Sequence, residues 1–424
     1  MNEYDSTKIV AIMQQQGFTL TPDYTAADLV ILNTCSVRAK AEEKLFSELG
    51  MIYKTKKIKK HLIIGVGGCV SVQEKENIFK RAPYVNFIFG PQTYHLLPQM
   101  YAHALQHQKT IDISSPPLEK FKHFPPPQVA FPTAYVTVVE GCNRFCSYCV
   151  VPFTRGREIS RPFSDVIQEV EILAKQGVKE IYFLGQNVNN YRDQNYTLID
   201  LIKATAEIES LQRIRFITSH PQTFTQELIN IFSLPKVANH LHLPIQSGSN
   251  RILQAMRRGY TAEEFKEKIA VLRNLRPHIS ISSDFIVGFP GETEADFDLT
   301  LQIVRELKFD NSFSFMYSPR PKTLAATLKD DVPLAEKKRH LALLQKELKI
   351  HAHNISQAML SSTQNILVTN TSKKNSQEFS GRTENNRVVN FQSKNTKQNL
   401  IGQMVTVKIT KILPNCLRGT PITN

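Results

Sequence analysis

Tyr135-Val136-Thr137-Val138-Val139-Glu140-Gly141-Cys142-Asn143-Arg144-Phe145-Cys146-Ser147-Tyr148-Cys149 joins an apolar strand to three cysteines spaced C-x-x-x-C-x-x-C. Three and then two intervening residues do not place thiolates on one face of a helix, so the segment reads as a loop wrapped around a ligand. Soft thiolates select zinc, copper(I) or an iron–sulfur cluster. Structural zinc takes four protein ligands, and neither a fourth cysteine nor a well-placed histidine lies nearby. Three cysteines would leave one iron of a four-iron cluster open for chemistry. The plain alternative is three buried thiols that only pack.

Downstream, strands alternate with amphipathic helices. Ile181-Tyr182-Phe183-Leu184, Arg215-Phe216-Ile217-Thr218, Leu241-His242-Leu243, Ile279 to Val287 and Phe313-Ser314-Phe315-Met316 read as strands, each separated from the next by helix-like sequence. Repeated βα units point to a parallel barrel or open barrel, whose reactive groups gather at the C-terminal strand ends. Gly185-Gln186-Asn187, Ser219-His220-Pro221, Gln246-Ser247-Gly248 and Gly288-Phe289-Pro290-Gly291-Glu292 stand there. Each has a simpler use. The amides could cap the next helix, the histidines could satisfy backbone groups, and the glycines could form turns.

Upstream, the chain reads as an α/β domain. Asp5 or Ser6 caps a helix carrying Ile9, Ile12 and Met13 on one face. Strands follow at Leu29–Leu32, His61–Val66 and Val85–Phe89. Cys35 and Cys69 each follow one of them, in the crevice where parallel sheets bind ligands. Two ordinary buried thiols are the alternative. Lys54, Lys56, Lys57, Lys59 and Lys60 read as a solvated helix end. Six prolines between Ser114 and Pro132 mark a semi-rigid linker. Beyond a Leu- and Lys-rich helix from about Leu334 to Leu360, residues 361–424 alternate polar and apolar. Nine Lys or Arg against two acids leave that module at +7, half of the chain's +14.

With 424 residues and a pI near 9.4, the chain has room for two or three domains and favours a polyanionic partner. The first residues lack a basic-then-apolar signal pattern. No apolar run approaches a membrane span. Six scattered cysteines do not make a secreted disulfide scaffold, which points to a cytoplasmic protein.

The cysteine loop after an apolar strand resembles the radical S-adenosylmethionine (SAM) enzymes. The run Val150-Val151-Pro152-Phe153-Thr154-Arg155-Gly156-Arg157-Glu158-Ile159-Ser160-Arg161-Pro162 resembles their methylthiotransferase branch. That resemblance implies an α/β fold in three parts. Residues 1–113 would form a doubly wound methylthiotransferase domain lacking its first strand, and 133–360 a partial (β/α)6 radical SAM barrel after a 114–132 linker. Residues 361–424 would form a small TRAM-like RNA-binding β-barrel, on the strength of Ser380-Gly381-Arg382-Thr383-Glu384-Asn385. Tyr317-Ser318-Pro319-Arg320-Pro321 resembles another family motif, although Lys322-Thr323 stands where the family commonly has Gly-Thr.

The resemblance also implies the cofactors and partners. Cys142, Cys146 and Cys149 would hold a 4Fe-4S cluster that binds SAM, with Gln186, Asn187, Gln246, Ser247 and Arg155 as SAM contacts. Cys35 and Cys69 match two of three ligands of a second 4Fe-4S cluster. The third is expected just before Met1-Asn2-Glu3-Tyr4-Asp5-Ser6 and is absent from this chain, through a start at an internal methionine or a truncation. Cys416 is too remote to replace it. The implied reaction puts a methylthio group on carbon 2 of N6-(dimethylallyl)adenosine beside the tRNA anticodon. Arg382, Arg387 and Lys408 would grip the RNA. An electron donor such as flavodoxin, a sulfur or cluster donor and a monomeric state complete the expectation. Within the branch, threonylcarbamoyl-adenosine or a ribosomal-protein aspartate are alternative substrates. A truncated, inactive iron–sulfur RNA-binding protein is the alternative from another class.

Overall fold

Leu29–Thr34 (β1) lies parallel to Ile63–Gly68 (β2), which is followed in the same sheet by Phe87–Phe89 (β3) and Thr110–Asp112 (β4). The computed structural model describes residues 1–36, 40–115, 121, 132–393 and 399–422. Most of the expected linker, and Val37 and Arg38 beyond Cys35, lie outside the described residues. The described chain divides into two compact units.

The first unit draws on Met1–Gln128, Val139–Arg161 and Ser318–Ala326. Its sheet is covered on both faces, as the period-2 pattern of β2 and β3 requires. Ile64, Val66 and Ile88 point to one face and pack with Leu45, Leu49 and Ile52 of α2 (Lys40–Ile58), Val70 of α3 (Cys69–Glu74) and Ile78 of α4 (Asn77–Arg81). Ile63, Phe87 and Phe89 point to the other. They pack with Ile9, Ile12 and Met13 of α1 (Asn2–Gln14) and Leu97 and Met100 of α5 (Leu97–Leu105). On that face β2 has glycines. A Cβ at Gly65 would come within 2.2 Å of the Phe87 ring, and one at Gly67 within 2.1 Å of the Phe89 ring. The phenyl rings therefore fill the space that β2 leaves empty.

Three sequence expectations shift here. Helix α1 begins at Asn2, so Asp5 lies inside it and does not cap it. β2 runs on through Gly67 and Gly68, beyond the Val66 at which the sequence pattern ends the strand. The strand at Thr110–Asp112 was missed because it is only three residues long and half-exposed.

The second unit takes Val129–Val138, Pro162–Tyr317 and Thr327–Asn424. Its core is a run of parallel strands: β5 (Thr133–Thr137), β8 (Glu180–Leu184), β11 (Arg213–Phe216), β12 (His240–His242), β13 with β14 (Ser280–Ser282, Asp284–Val287) and β15 (Phe313–Met316). Single parallel bridges at Ile214–Val237 and Gln246–Phe285 continue the order between the paired groups. The expected strand from Ile279 to Val287 is broken at Ser283, whose hydroxyl donates to Leu243 O and accepts from Ile245 N, both at 2.9 Å. Connecting helices include α7 (Phe163–Lys175), α8 (Leu198–Ala206), α11 (Ala262–Leu275) and α12 (Glu294–Leu307). Thr197, Thr261 and Thr293 close capping boxes on the last three. The six strand positions with intervening helices are the partial barrel expected from sequence.

A long helix, α13 (Leu334–Ala358), leads to a closed five-stranded barrel of β16 (Thr363–Thr371), β17 (Glu378–Arg382), β18 (Val388–Gln392), β20 (Cys416–Pro421) and β19 (Met404–Leu413), in that order. Ile366, Val368, Val389, Phe391, Val407, Ile409 and Leu417 fill it. Closure pairs every strand and leaves no open edge. No helix among the described residues is long and apolar enough to cross a membrane.

Candidate iron–sulfur and SAM site

The three-cysteine loop is pinned at its base. β6 (Val139–Glu140) and β7 (Ile159–Ser160) pair antiparallel, and Cys142 N donates to Gly156 O at 3.3 Å. Gly141 makes this possible. Its φ is +76°, and a Cβ there would meet Arg157 O at 2.0 Å. Inside the loop Cys149 N donates to Cys146 O at 2.9 Å, and Ala325 N donates to Ser147 O at 2.7 Å. Phe145, exposed between two of the cysteines, is held at φ +46°, an uncommon backbone state for its residue type. Cys146 is buried, Cys142 and Cys149 are half-buried, and none is in a disulfide. Burial pushes the Cys142 thiol up, a backbone N–H from Arg144 opposes this, and Cys146 and Glu158 add to the rise. Thiols crowded together in this way are those that metal binding deprotonates.

The same unit holds the other two candidate ligands. Thr34 and Gly68 are register partners at the ends of β1 and β2, and Cys35 and Cys69 follow them side by side. Gly68 has φ +92°, and a Cβ there would strike Thr34 O at 2.2 Å. Thr34 Oγ1 donates to Gly67 O at 2.6 Å and accepts from Val70 N, which ties the two strand ends together. Helix α3, which starts at Cys69, packs on α6 (Val151–Thr154), the turn that follows Cys149. All five candidate ligand cysteines therefore fall in one unit, whereas Cys416 sits on β20 of the other.

Arg155 does not stand as a free SAM clamp. Its Nη2 donates to Asp5 Oδ2 at 2.6 Å, its Nη1 is 3.8 Å from Glu140 Oε1, and its carbonyl accepts from Gln92 Nε2 at 3.2 Å. Burial alone would lower this guanidinium's pKa. The charges of Asp5, Cys69 and Glu140 outweigh it and hold the pKa well above the usual value. Arg155 thus joins α1 to the cysteine loop.

In the second unit, the C-terminal ends of the strands carry buried polar atoms with no partner. Asn187 is 1% exposed, and neither its Oδ1 nor its Nδ2 makes a hydrogen bond among the described residues. It opens the 3-10 turn Val188–Asn190 but makes no side-chain cap, so the capping alternative fails. Gln186 Oε1 and Ser219 Oγ are also buried and unpartnered. Unsatisfied buried groups cost roughly 1–3 kcal/mol each, and clustering at a parallel rim is the arrangement of a polar ligand site. These residues fit a ligand such as SAM. Gln246 is buried at φ +78°, bonded through its backbone to Asp284 O and Ile286 N. Ser247 is different. Its hydroxyl meets Thr300 Oγ1 at 3.3 Å and Ser249 N at 3.2 Å, so it fastens the loop to α12.

Two histidines at the strand ends have partners within the fold. His220 Nδ1 accepts from Gln222 N at 3.3 Å. His242 Nδ1 lies 2.9 Å from Ser282 Oγ and its Nε2 3.4 Å from Asp284 Oδ2, so its partners are side chains rather than backbone groups. Among the described residues Glu294, Glu336 and His340 bring possible ligand atoms within 4.8 Å of one another. Arg339 bridges both carboxylates, which supplies the cation such a group needs.

Of the RNA candidates, only Lys408 is exposed, on β19. Arg382 donates to Asn386 O and Oδ1 within its own turn, and Arg387 is buried on Asp310. Composition showed the charge but not which arginines fold inward.

Family models match along the chain: the uncharacterized protein family UPF0004 over 1–90, the radical SAM superfamily over 136–304 and the TRAM domain over 357–422. A tRNA-2-methylthio-N(6)-dimethylallyladenosine synthase of Coxiella burnetii is 53% identical over 99% of this chain and 97% of the relative. The chain belongs to the tRNA-2-methylthio-N(6)-dimethylallyladenosine synthase family. Synthases so named from Legionella pneumophila (53% identity, 95% of the relative) and Francisella tularensis (54%, 96%) also match 99% of the chain. Solved structures support the fold. The radical SAM methyltransferase TsrM from Kitasatospora setae superposes with TM-score 0.58 at 14% identity, covering 76% of this chain and 72% of that one. The cobalamin-dependent radical SAM enzyme OxsB gives 0.54 at 13%, covering 83% and 55%. Membership makes the chain a radical SAM enzyme, a class built on a 4Fe-4S cluster and SAM.

Proposed function

We propose that this protein replaces the hydrogen on carbon 2 of N6-(dimethylallyl)adenosine, beside the tRNA anticodon, with a methylthio group. The carrying observation is the match to synthases of that name over 99% of the chain. An aromatic C–H is inert to acid–base catalysis, so the cofactors supply a radical and sulfur, and the protein binds, orients and excludes water. Cys142, Cys146 and Cys149 hold the SAM-binding cluster on a loop fixed at Gly141. Asn187, Gln186 and Gln246 orient SAM, supported by the unpartnered amide of Asn187 and amide oxygen of Gln186 and by the burial of Gln246 at the same rim. Cys35 and Cys69 serve a second cluster, supported by their register-matched strand ends. Lys408 and its neighbours grip tRNA. An electron donor such as flavodoxin and a sulfur donor act with the enzyme, which works as a cytoplasmic monomer.

Anaerobically reconstituted protein should cleave SAM and methylthiolate tRNA, and a Cys146→Ala variant should do neither. Mass analysis of tRNA nucleosides from a strain lacking the gene should show the dimethylallyl nucleoside without its methylthio group. An unchanged nucleoside profile would refute the substrate.

A further inference from the structure

Three buried arginines fasten the five-stranded barrel to the parallel-strand core. Arg213 and Arg215 reach out from β11. Arg215 Nε donates to Glu180 Oε1 at 2.7 Å, while its Nη1 and Nη2 donate to Glu384 O and Thr383 O, at 2.7 and 2.9 Å, in the β17–β18 turn. Arg213 Nη1 donates to Arg382 O at 3.1 Å. Arg387 reaches the opposite way. Its two Nη atoms meet the Asp310 carboxylate at 2.5 and 2.7 Å, Nε donates to Ser356 Oγ at 2.9 Å, and Nη2 also donates to Ala352 O at 2.8 Å on α13. Asp310 in turn accepts from Ser280 Oγ at 2.5 Å. The arginines are 2%, 2% and 6% exposed, so each guanidinium depends on these partners for its solvation.

The partners share one end of the core. Glu180 opens β8, Arg213 opens β11, Ser280 opens β13 and Asp310 precedes β15. Gln186, Asn187, Ser219 and Gln246 lie past the other ends of their strands. Strands of four or five residues, rising about 3.3 Å per residue, put roughly 13–17 Å between the two ends. A module fixed there is anchored at the end of the core away from the rim. A module that swung freely would add affinity but no orientation. One held by bidentate, buried contacts converts grip on a remote part of the RNA into placement of the reacting base.

We propose that Arg213, Arg215 and Arg387 are positioning residues for the RNA substrate: they fix the RNA-gripping barrel at the N-terminal end of the core, so that it holds a part of the tRNA remote from the modified adenosine and sets where that adenosine falls. This rests on the function proposed above. The outward face of β19 offers Lys408 and Lys411 for the grip, while the exposed Arg418 on β20 is paired with Glu378. Lys408 stands opposite Thr420, and Lys411 opposite Arg418.

The test uses full-length reconstituted enzyme with intact tRNA, wild type first. Arg387→Ala and the isosteric Asp310→Asn are measured for iron content, tRNA Kd, kcat at saturating tRNA, and 5′-deoxyadenosine released per methylthio product. Expected is a Kd within about threefold of wild type, a kcat lowered tenfold or more, and more 5′-deoxyadenosine per product, with partial recovery in Arg387→Lys. Lys408→Ala and Lys411→Ala should raise Kd. Wild-type kcat and coupling in both lock variants would overturn the proposal. So would a loss confined to Kd. If the wild type neither binds nor modifies tRNA, the proposed function itself fails, and this inference with it.

Discussion

Arg155 Nη2 lies 2.6 Å from Asp5 Oδ2, and both side chains are almost wholly buried. This pair joins the segment after the cysteine loop to the first helix, 150 residues away in sequence. Removing one partner of a buried ion pair strands the other, at a cost of about 3–5 kcal/mol. Asp5→Ala should therefore lower the first unit's unfolding free energy by that order in urea titration. An Asp5→Leu/Arg155→Met double variant should recover part of it, because Glu140 then loses the same guanidinium. Equal losses in the single and double variants would show that the pair itself is not the source.

Asn187 invites a test that separates a ligand group from a structural one. Because neither amide atom has a partner, Asn187→Leu should leave the melting temperature of the SAM-free protein unchanged or slightly raised. The stabilisation seen on adding SAM should shrink, with SAM Kd raised tenfold or more. A variant that melts much earlier without SAM and binds SAM normally would remove Asn187 from the site.

Ser247 should behave in the opposite sense. Its hydroxyl serves Thr300 and Ser249, so Ser247→Ala should cost about 1 kcal/mol in stability and leave SAM Kd within twofold. A large SAM defect at unchanged stability would reverse this assignment.

His240 makes the second unit sensitive to acid. Burial, then the charges of Arg215, His242, Arg387 and Arg382, hold its pKa well below 6.5. The folded protein keeps it neutral while the unfolded chain takes up a proton, so stability falls as pH drops below about 6.5. The slope from this group approaches 1.4 kcal/mol per pH unit. Urea melts at pH 7.5 and 5.5 should show a smaller drop in His240→Gln than in the wild type. Parallel drops would exclude His240 as the source.

Much of this was legible in the sequence, for physical reasons. The cysteine spacing, the βα alternation and the strand-end places of Cys35 and Cys69 are local patterns, and they survive folding. What sequence missed depends on distant partners. Arg387 and Arg382 looked like RNA contacts because composition registers charge and not burial. Arg155 looked like a ligand clamp because it is a loop arginine beside the cysteines, and nothing local shows that Asp5, 150 residues away, pairs with it. Ser247 and Asn187 occupy similar strand-end places. Only the hydrogen bond to Thr300 in one, and the lack among the described residues of any partner for the amide of the other, tells them apart.

The glycines of β2 and the rings of Phe87 and Phe89 carry one more consequence. A neighbouring strand supplies the bulk that β2 lacks, so sliding β3 by a single residue would turn both rings to the opposite face and leave two holes behind. Correct pairing is thereby checked twice within three residues. Natural variation should accordingly exchange volume across positions 65 and 87, or 67 and 89, in compensating pairs rather than singly.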